Sequence, residues 1–239
     1  MASAFAVLNE TVPAPGRGIV ATTALLAGVV VLVSLAAPAN GRRSVLYRAN
    51  FLGTLFHEGG HALVSVLAGG KVLRVEVTGA ESGGTWQRIP SALAGVLIGA
   101  AGYAMPPLAG LGAAALLHRG LVPAVLALTA AAMVFLLVFT RDLLTFAAVA
   151  AVGAIAFCAL RWAPHWLRDG VAYAEAWLLL TSEIGGLRVL VLNRFRGEAQ
   201  QDDAAVLAEY TGIPGFVWIA AWFALIGWAV SRAFPLLWP

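Results

Sequence analysis

The sequence predicts an all-α integral membrane protein of about six transmembrane helices, with a small β-hairpin or sheet inserted after the second. Three observations predict it. Hydrophobic residues fill 61% of the 239 positions and charged residues only 11%, about half the charged share of a soluble domain. Apolar runs of about 20 residues, long enough to cross hydrocarbon, recur along the chain. Between two of them one polar stretch alternates with a period of two. A water-soluble globule would need alternating polar faces throughout, and a disordered chain would need far more charge.

The first 18 residues hold two prolines and two glycines and lack the basic start of a secretory signal. They read as a flexible tail ahead of one membrane-embedded domain over residues 19–239. The first span is expected at 19–37, stopped by "PANGRR", and the second at 47–68, stopped by Gly69-Gly70. A third runs over 91–117, where "GYAMPP" predicts a break or kink. Spans at 121–139 and 143–160 are split only by Arg141 and Asp142, and the last covers 215–233. Residues 161–214 are more polar and hold a short amphipathic helix candidate at 171–180.

In "KVLRVEVTGAESGGTWQR" (71–88), Val72, Arg74 and Glu76 alternate with Leu73, Val75 and Val77 before a glycine turn. This reads as a β-hairpin, with an amphipathic interfacial loop as the alternative. The formal charge is +3. An alternating arrangement puts Arg42, Arg43, Arg48, Arg119, Arg161, Arg168, Arg188, Arg194 and Arg196 on one side. Arg17, Lys71, Arg74, Arg88, Arg141 and Arg232 fall on the other. The larger group is expected in the cytoplasm, which places the N-terminus outside. Contact with lipid headgroups is expected, whereas a concentrated basic face for nucleic acid is missing. Cys158 lies in an apolar run and reads as packing, and the tryptophans read as interface anchors.

The chemistry sits in the second span. "FLGTLFHEGGHALVSVLAGG" carries His57, Glu58 and His61 in the middle of an apolar run, and ionisable groups at that depth need a shared reason. The spacing is H-E-x-x-H. Positions i and i+4 share a helix face, so both imidazoles can address one zinc ion, with Glu58 as general base. Bound zinc lowers the pKa of a coordinated water from about 15.7 to about 7. The alternative is a pair of buried histidines bonded to neighbours. Gly59 and Gly60 point to a close approach of backbone or substrate, or to ordinary small-residue packing. His118 and His165, at span ends, read as solvated interfacial residues.

The run "FHEGGHALVSVLAGGKVLRVEVTGAESGGTW", followed by "AGYAMPPLAG" and later "DDAAVLAEYTGIPGFVW", resembles the compact bacterial branch of the site-2-protease-like intramembrane zinc metalloproteases. The resemblance covers most of the chain after about residue 49. It implies zinc bound by His57, His61 and a distant aspartate, and Glu58 as base. It also implies membrane-embedded or membrane-adjacent protein substrates and a multi-pass location in the bacterial cell membrane. The asparagine-proline-x-x-x-leucine-aspartate-glycine run of better-known members is missing here. Similarity to the compact branch favours Asp203 as the third ligand, with Asp202 second. His57 lies about 15 Å into its span from the side that holds both aspartates. Against this stands an N-cap role for the same pair, ahead of a helix starting at Ala204.

The expected activity is peptide-bond hydrolysis in or at the edge of the bilayer, with an unwound substrate strand received near Gly83, Gly84 and Thr85 by β-augmentation. The rivals are a catalytically inactive membrane scaffold or chaperone of the same fold, and a metal or proton transporter.

Overall fold

The computed structural model describes residues 10–36, 50–79, 82–197 and 202–238. Its helices are α1 (Arg17–Ala36), α2 (Phe51–Leu67), α3 (Ala92–His118), α4 (Val122–Leu137), α5 (Leu143–Trp162), α6 (His165–Thr181), α7 (Glu183–Phe195), α8 (Asp203–Thr211) and α9 (Gly215–Leu237). Strands β1 (Lys71–Gly79) and β2 (Ser82–Arg88) pair between α2 and α3. The protein is thus an all-α membrane protein with one small antiparallel sheet. Among the described residues α1, α3, α5 and α9 are each long and apolar enough to cross a membrane, and α4 is apolar but shorter. Their outer faces carry Leu25, Leu32, Leu143, Phe146, Phe157 and Phe216 exposed, a surface that lipid tolerates and water does not. Cys158, expected in packing, lies on that exposed surface.

Helix α3 is the central post. It packs against α2, α6, α8 and α9, and small residues let it meet so many neighbours at close range. Glycines or prolines recur every three or four positions, at 95, 99, 102, 106 and 110. A Cβ at Gly110 would lie 2.8 Å from Leu180 N of α6, and one at Gly99 3.2 Å from the Leu207 side chain of α8. Pro106 and Pro107 sit inside this one unbroken helix of 27 residues, where "GYAMPP" predicted a break or kink. Proline removes the amide that would reach the carbonyl four residues back, so Gly102 and Tyr103 lose those partners. Packing on four sides keeps the helix continuous.

Segment 161–214 does not lie apart from the bundle. The candidate helix at 171–180 is the middle of α6, which buries Ala172, Tyr173, Ala176, Trp177, Leu179 and Leu180 against α3 and α1. Within the expected tail, Val12 N–H donates to Gly120 O at 2.9 Å, which ties that point of the tail to the turn after α3. Residues 47–49 of the expected second span lie outside the described residues. His118 has Nδ1 3.3 Å from Leu236 O, and His165 has Nδ1 3.0 Å from Arg168.

The hairpin forms where alternation predicted it, with one change of phase. Val72, Val75 and Val77 are buried while Leu73 is exposed. A register shift between Val72 and Arg74 inserts one residue and moves Leu73 to the outer face. The sheet docks by the far edge of β1. Val75 N–H donates to Phe139 O at 3.0 Å, and Val77 N–H donates to Thr145 Oγ1 at 2.8 Å on α5. Thr145→Val keeps the shape but leaves that buried amide unpaired, at a cost of about 1–3 kcal/mol. A lowered unfolding midpoint of the detergent-solubilised protein is the expected readout.

Candidate metal centre and active site

Helix α2 carries His57, Glu58 and His61, and the i,i+4 spacing puts both imidazoles on its α3-facing side. His61 Nδ1 lies 2.7 Å from Ile98 O, and His57 Nδ1 lies 3.2 Å from Glu183 Oε2 at the start of α7. A carbonyl and a carboxylate can only accept, so each Nδ1 donates its proton there, and Nε2 is the nitrogen each ring can offer to a metal ion. The two Nε2 atoms are 3.2 Å apart. Asp203 Oδ2, from the first turn of α8, lies 3.1 Å from one and 3.3 Å from the other.

This triangle fits a metal ion. A tetrahedral zinc shell with bonds of about 2.0–2.1 Å spaces its ligand atoms by roughly 3.3 Å. His57, His61 and Asp203 are the described residues that converge this way. All three are largely shielded, with side chains 14%, 8% and 24% exposed. Space for an ion is kept by Gly102 of α3. A Cβ there would lie 2.6 Å from His57 Nε2 and closer still to His61 Nε2. Gly60 brings the helices this near, since a Cβ on it would meet Ala101 O at 2.8 Å. Tyr103 closes the wall, its ring edge-on to His57 at 4.6 Å.

Asp202 is turned elsewhere. Its Oδ1 accepts from Ala205 N–H at 2.8 Å as the N-cap of α8, and both its oxygens accept from Arg194 at 2.7 and 2.8 Å. Of the two neighbours, one caps and the other meets the imidazoles.

Glu58 is buried beside the triangle, under β2. Thr85 Oγ1 donates to Glu58 Oε2 at 2.7 Å, and a Cβ at Gly83 would lie 2.7 Å from Glu58 Oε1. Val75 and Val77 spend their amides on Phe139 and Thr145, away from β2. Their partners Thr85 and Gly83 therefore turn their own N–H and C=O groups to the opposite, free edge. That edge borders a cavity of about 610 Å³, whose lining includes Thr54, Glu58, Gly84, Gln87, Tyr103 and Asp203.

Glu183, Thr85 and Gly102 had not been singled out for these roles by sequence reasoning. Glu183 had a usable signal, being an acid amid the apolar residues of "LLLTSEIGGLRVLVL". Gly102→Ala is expected to abolish zinc binding, assayed by metal content after purification, while helical content by circular dichroism stays that of the wild type.

No curated protein and no solved structure matched the chain. A family model described as Peptidase M50B-like matches residues 22–232, a range that contains the histidine pair, the hairpin, Glu183 and Asp203. The chain belongs to the peptidase M50B-like family, the site-2-protease-like metallopeptidases.

Proposed function

We propose that the protein is an intramembrane zinc metalloprotease that hydrolyses peptide bonds of membrane-embedded or membrane-adjacent proteins. The observation that carries this reading is the triangle of two Nε2 atoms and one carboxylate oxygen with a second carboxylate, Glu58, beside it. His57, His61 and Asp203 would hold the zinc ion, with Asp202 as cap rather than alternative ligand. When bound, the ion supplies Lewis-acid polarisation of a carbonyl and acidifies a water.

The chain's own residues account for the rest. Glu58 takes the proton of the attacking water and passes it to the leaving amine. Thr85 orients that carboxylate by its 2.7 Å hydrogen bond. Glu183 holds His57 in the tautomer that leaves Nε2 free, as an outer carboxylate does for a ligating histidine. A helical substrate hides its carbonyls in its own hydrogen bonds and has to unwind before attack. The free groups of Gly83 and Thr85 offer such a strand replacement partners, beside Gly84, by β-augmentation. The site draws on elements from α2 to α8, which supports one membrane-embedded domain over 19–239. The family resemblance supports a location in the bacterial cell membrane.

Two experiments test the reading. Glu58→Gln should retain zinc yet cut cleavage by at least about a hundredfold, whereas His61→Ala and Asp203→Asn should lose the metal. A zinc-loaded Glu58→Gln protein with full activity would overturn the assigned base. For the strand edge, Thr85→Val and Thr85→Pro both lose the hydroxyl, but only proline loses the outward amide. Proline is tolerated at such an edge position. The proline variant should show a further rise in KM, and equal KM values would remove the edge from substrate binding.

A further inference from the structure

Asp203 is the one converging side chain that α2 does not carry. It comes from α8, a helix of 9 residues whose buried residues are Ala204 and Leu207 alone. A helix that short is marginal by itself, so its grip on a ligand position has to come from outside. Ala204 and Leu207 pack it against α3 and α9, and the polar hold at its first turn is Arg194. From the last turn of α7 its guanidinium grips Asp202 with two parallel hydrogen bonds of 2.7 and 2.8 Å. That fork is the geometry in which an arginine–carboxylate pair fixes direction as well as distance. Arg194 Nη2 also lies under the first residue of α9, where a Cβ at Gly215 would come within 2.8 Å of it. The opposite end of α7 carries Glu183, 3.2 Å from His57 Nδ1. One helix thus braces the triangle from both sides.

We propose that Arg194 is a positioning residue for the metal centre. By clamping Asp202 it fixes the start of α8, aims Asp203 at the imidazoles, and occupies the neighbouring carboxylate that would otherwise compete for the ion. The inference rests on the zinc reading above. Asp202 is the coupling element, since its Oδ1 accepts from both Arg194 and Ala205 N–H.

The test is zinc affinity, by chelator competition, together with the visible spectrum of the cobalt(II)-substituted protein. It compares purified full-length wild type with Arg194→Met, Arg194→Lys and Asp202→Asn, with His61→Ala as the metal-loss control. Asparagine caps helices as well as aspartate does, so Asp202→Asn removes the ion pair and spares the cap. Both Arg194→Met and Asp202→Asn should weaken zinc binding several-fold, up to the roughly 10–100-fold that loss of a ligand's own hydrogen-bond partner costs. Both should also alter the cobalt spectrum, which a merely structural role would leave unchanged. Lysine keeps the charge without the fork and should fall between. If Arg194→Met fails to fold, Arg194→Lys and Asp202→Asn carry the test. Wild-type affinity and spectrum in these variants, with His61→Ala metal-free, would overturn the clamp and leave the zinc reading standing. A wild type that takes up no zinc would overturn both.

Discussion

Four ionisable side chains, three of them with ligand atoms within 3.3 Å of one another, are held inside an apolar bundle, and the architecture around them is arranged to make that tolerable. Unshared, each would face a large desolvation cost. The imidazoles direct one nitrogen to a fixed acceptor and the other to a shared point, so every ring nitrogen has a use. Asp203 sits in the first turn of α8, where exposed backbone amides favour a carboxylate. Glu58 is served by the Thr85 hydroxyl. The convergence requires α2 and α3 to approach closely, which explains why glycine occupies both Gly60 and Gly102. Each costs about 0.8–1 kcal/mol of helix propensity against alanine, and a methyl group at either would push the helices apart or fill the centre.

The same economy runs through the hairpin. One edge of β1 is consumed in docking to Phe139 and Thr145, which leaves the free edge of β2 on the cavity side. Gly83 lets that edge lie directly on Glu58. A strand bound there would run beside the base, so substrate recognition and proton transfer would share one piece of backbone.

How much of this the sequence displays depends on how local each feature is. The pairing of His57 with His61 needs only helical periodicity, and the hairpin needs only alternation and glycine. The phase of β1 escaped because a bulge follows from docking, not from the strand's own pattern. Segment 161–214 was the hardest to read. Its charges look like those of a solvated connector, yet Glu183 faces His57 and Arg194 faces Asp202. Charged residues count as surface only while their partners are unknown, and Glu183 and His57 are 126 positions apart. The division of labour between Asp202 and Asp203 has the same origin. As an isolated dipeptide the two look alike, and the start of α8 and the Arg194 contact set them apart.

A buried acid away from this cluster bears on the transporter alternative. Glu175 of α6 is shielded and accepts a hydrogen bond from Thr129 of α4. It borders a cavity of about 370 Å³ walled by Phe56, Ala113, Leu116, Val125, Leu128 and Leu179. Phe56 belongs to α2, so this cavity touches the helix that carries the histidines without being lined by either of them. A proton or metal relay requires polar groups within hydrogen-bond reach of one another along a path. Here the cavity that Glu175 borders is otherwise lined by Phe56, Thr129 and small or aliphatic residues, and Thr129 is the carboxyl's hydrogen-bond partner among the described residues. The polar groups around His57, by contrast, gather on one side, with Glu58, Asp203, Thr85 and Glu183 lining a single cavity. An arrangement with one polar mouth and an apolar back suits water entering to react better than an ion passing through.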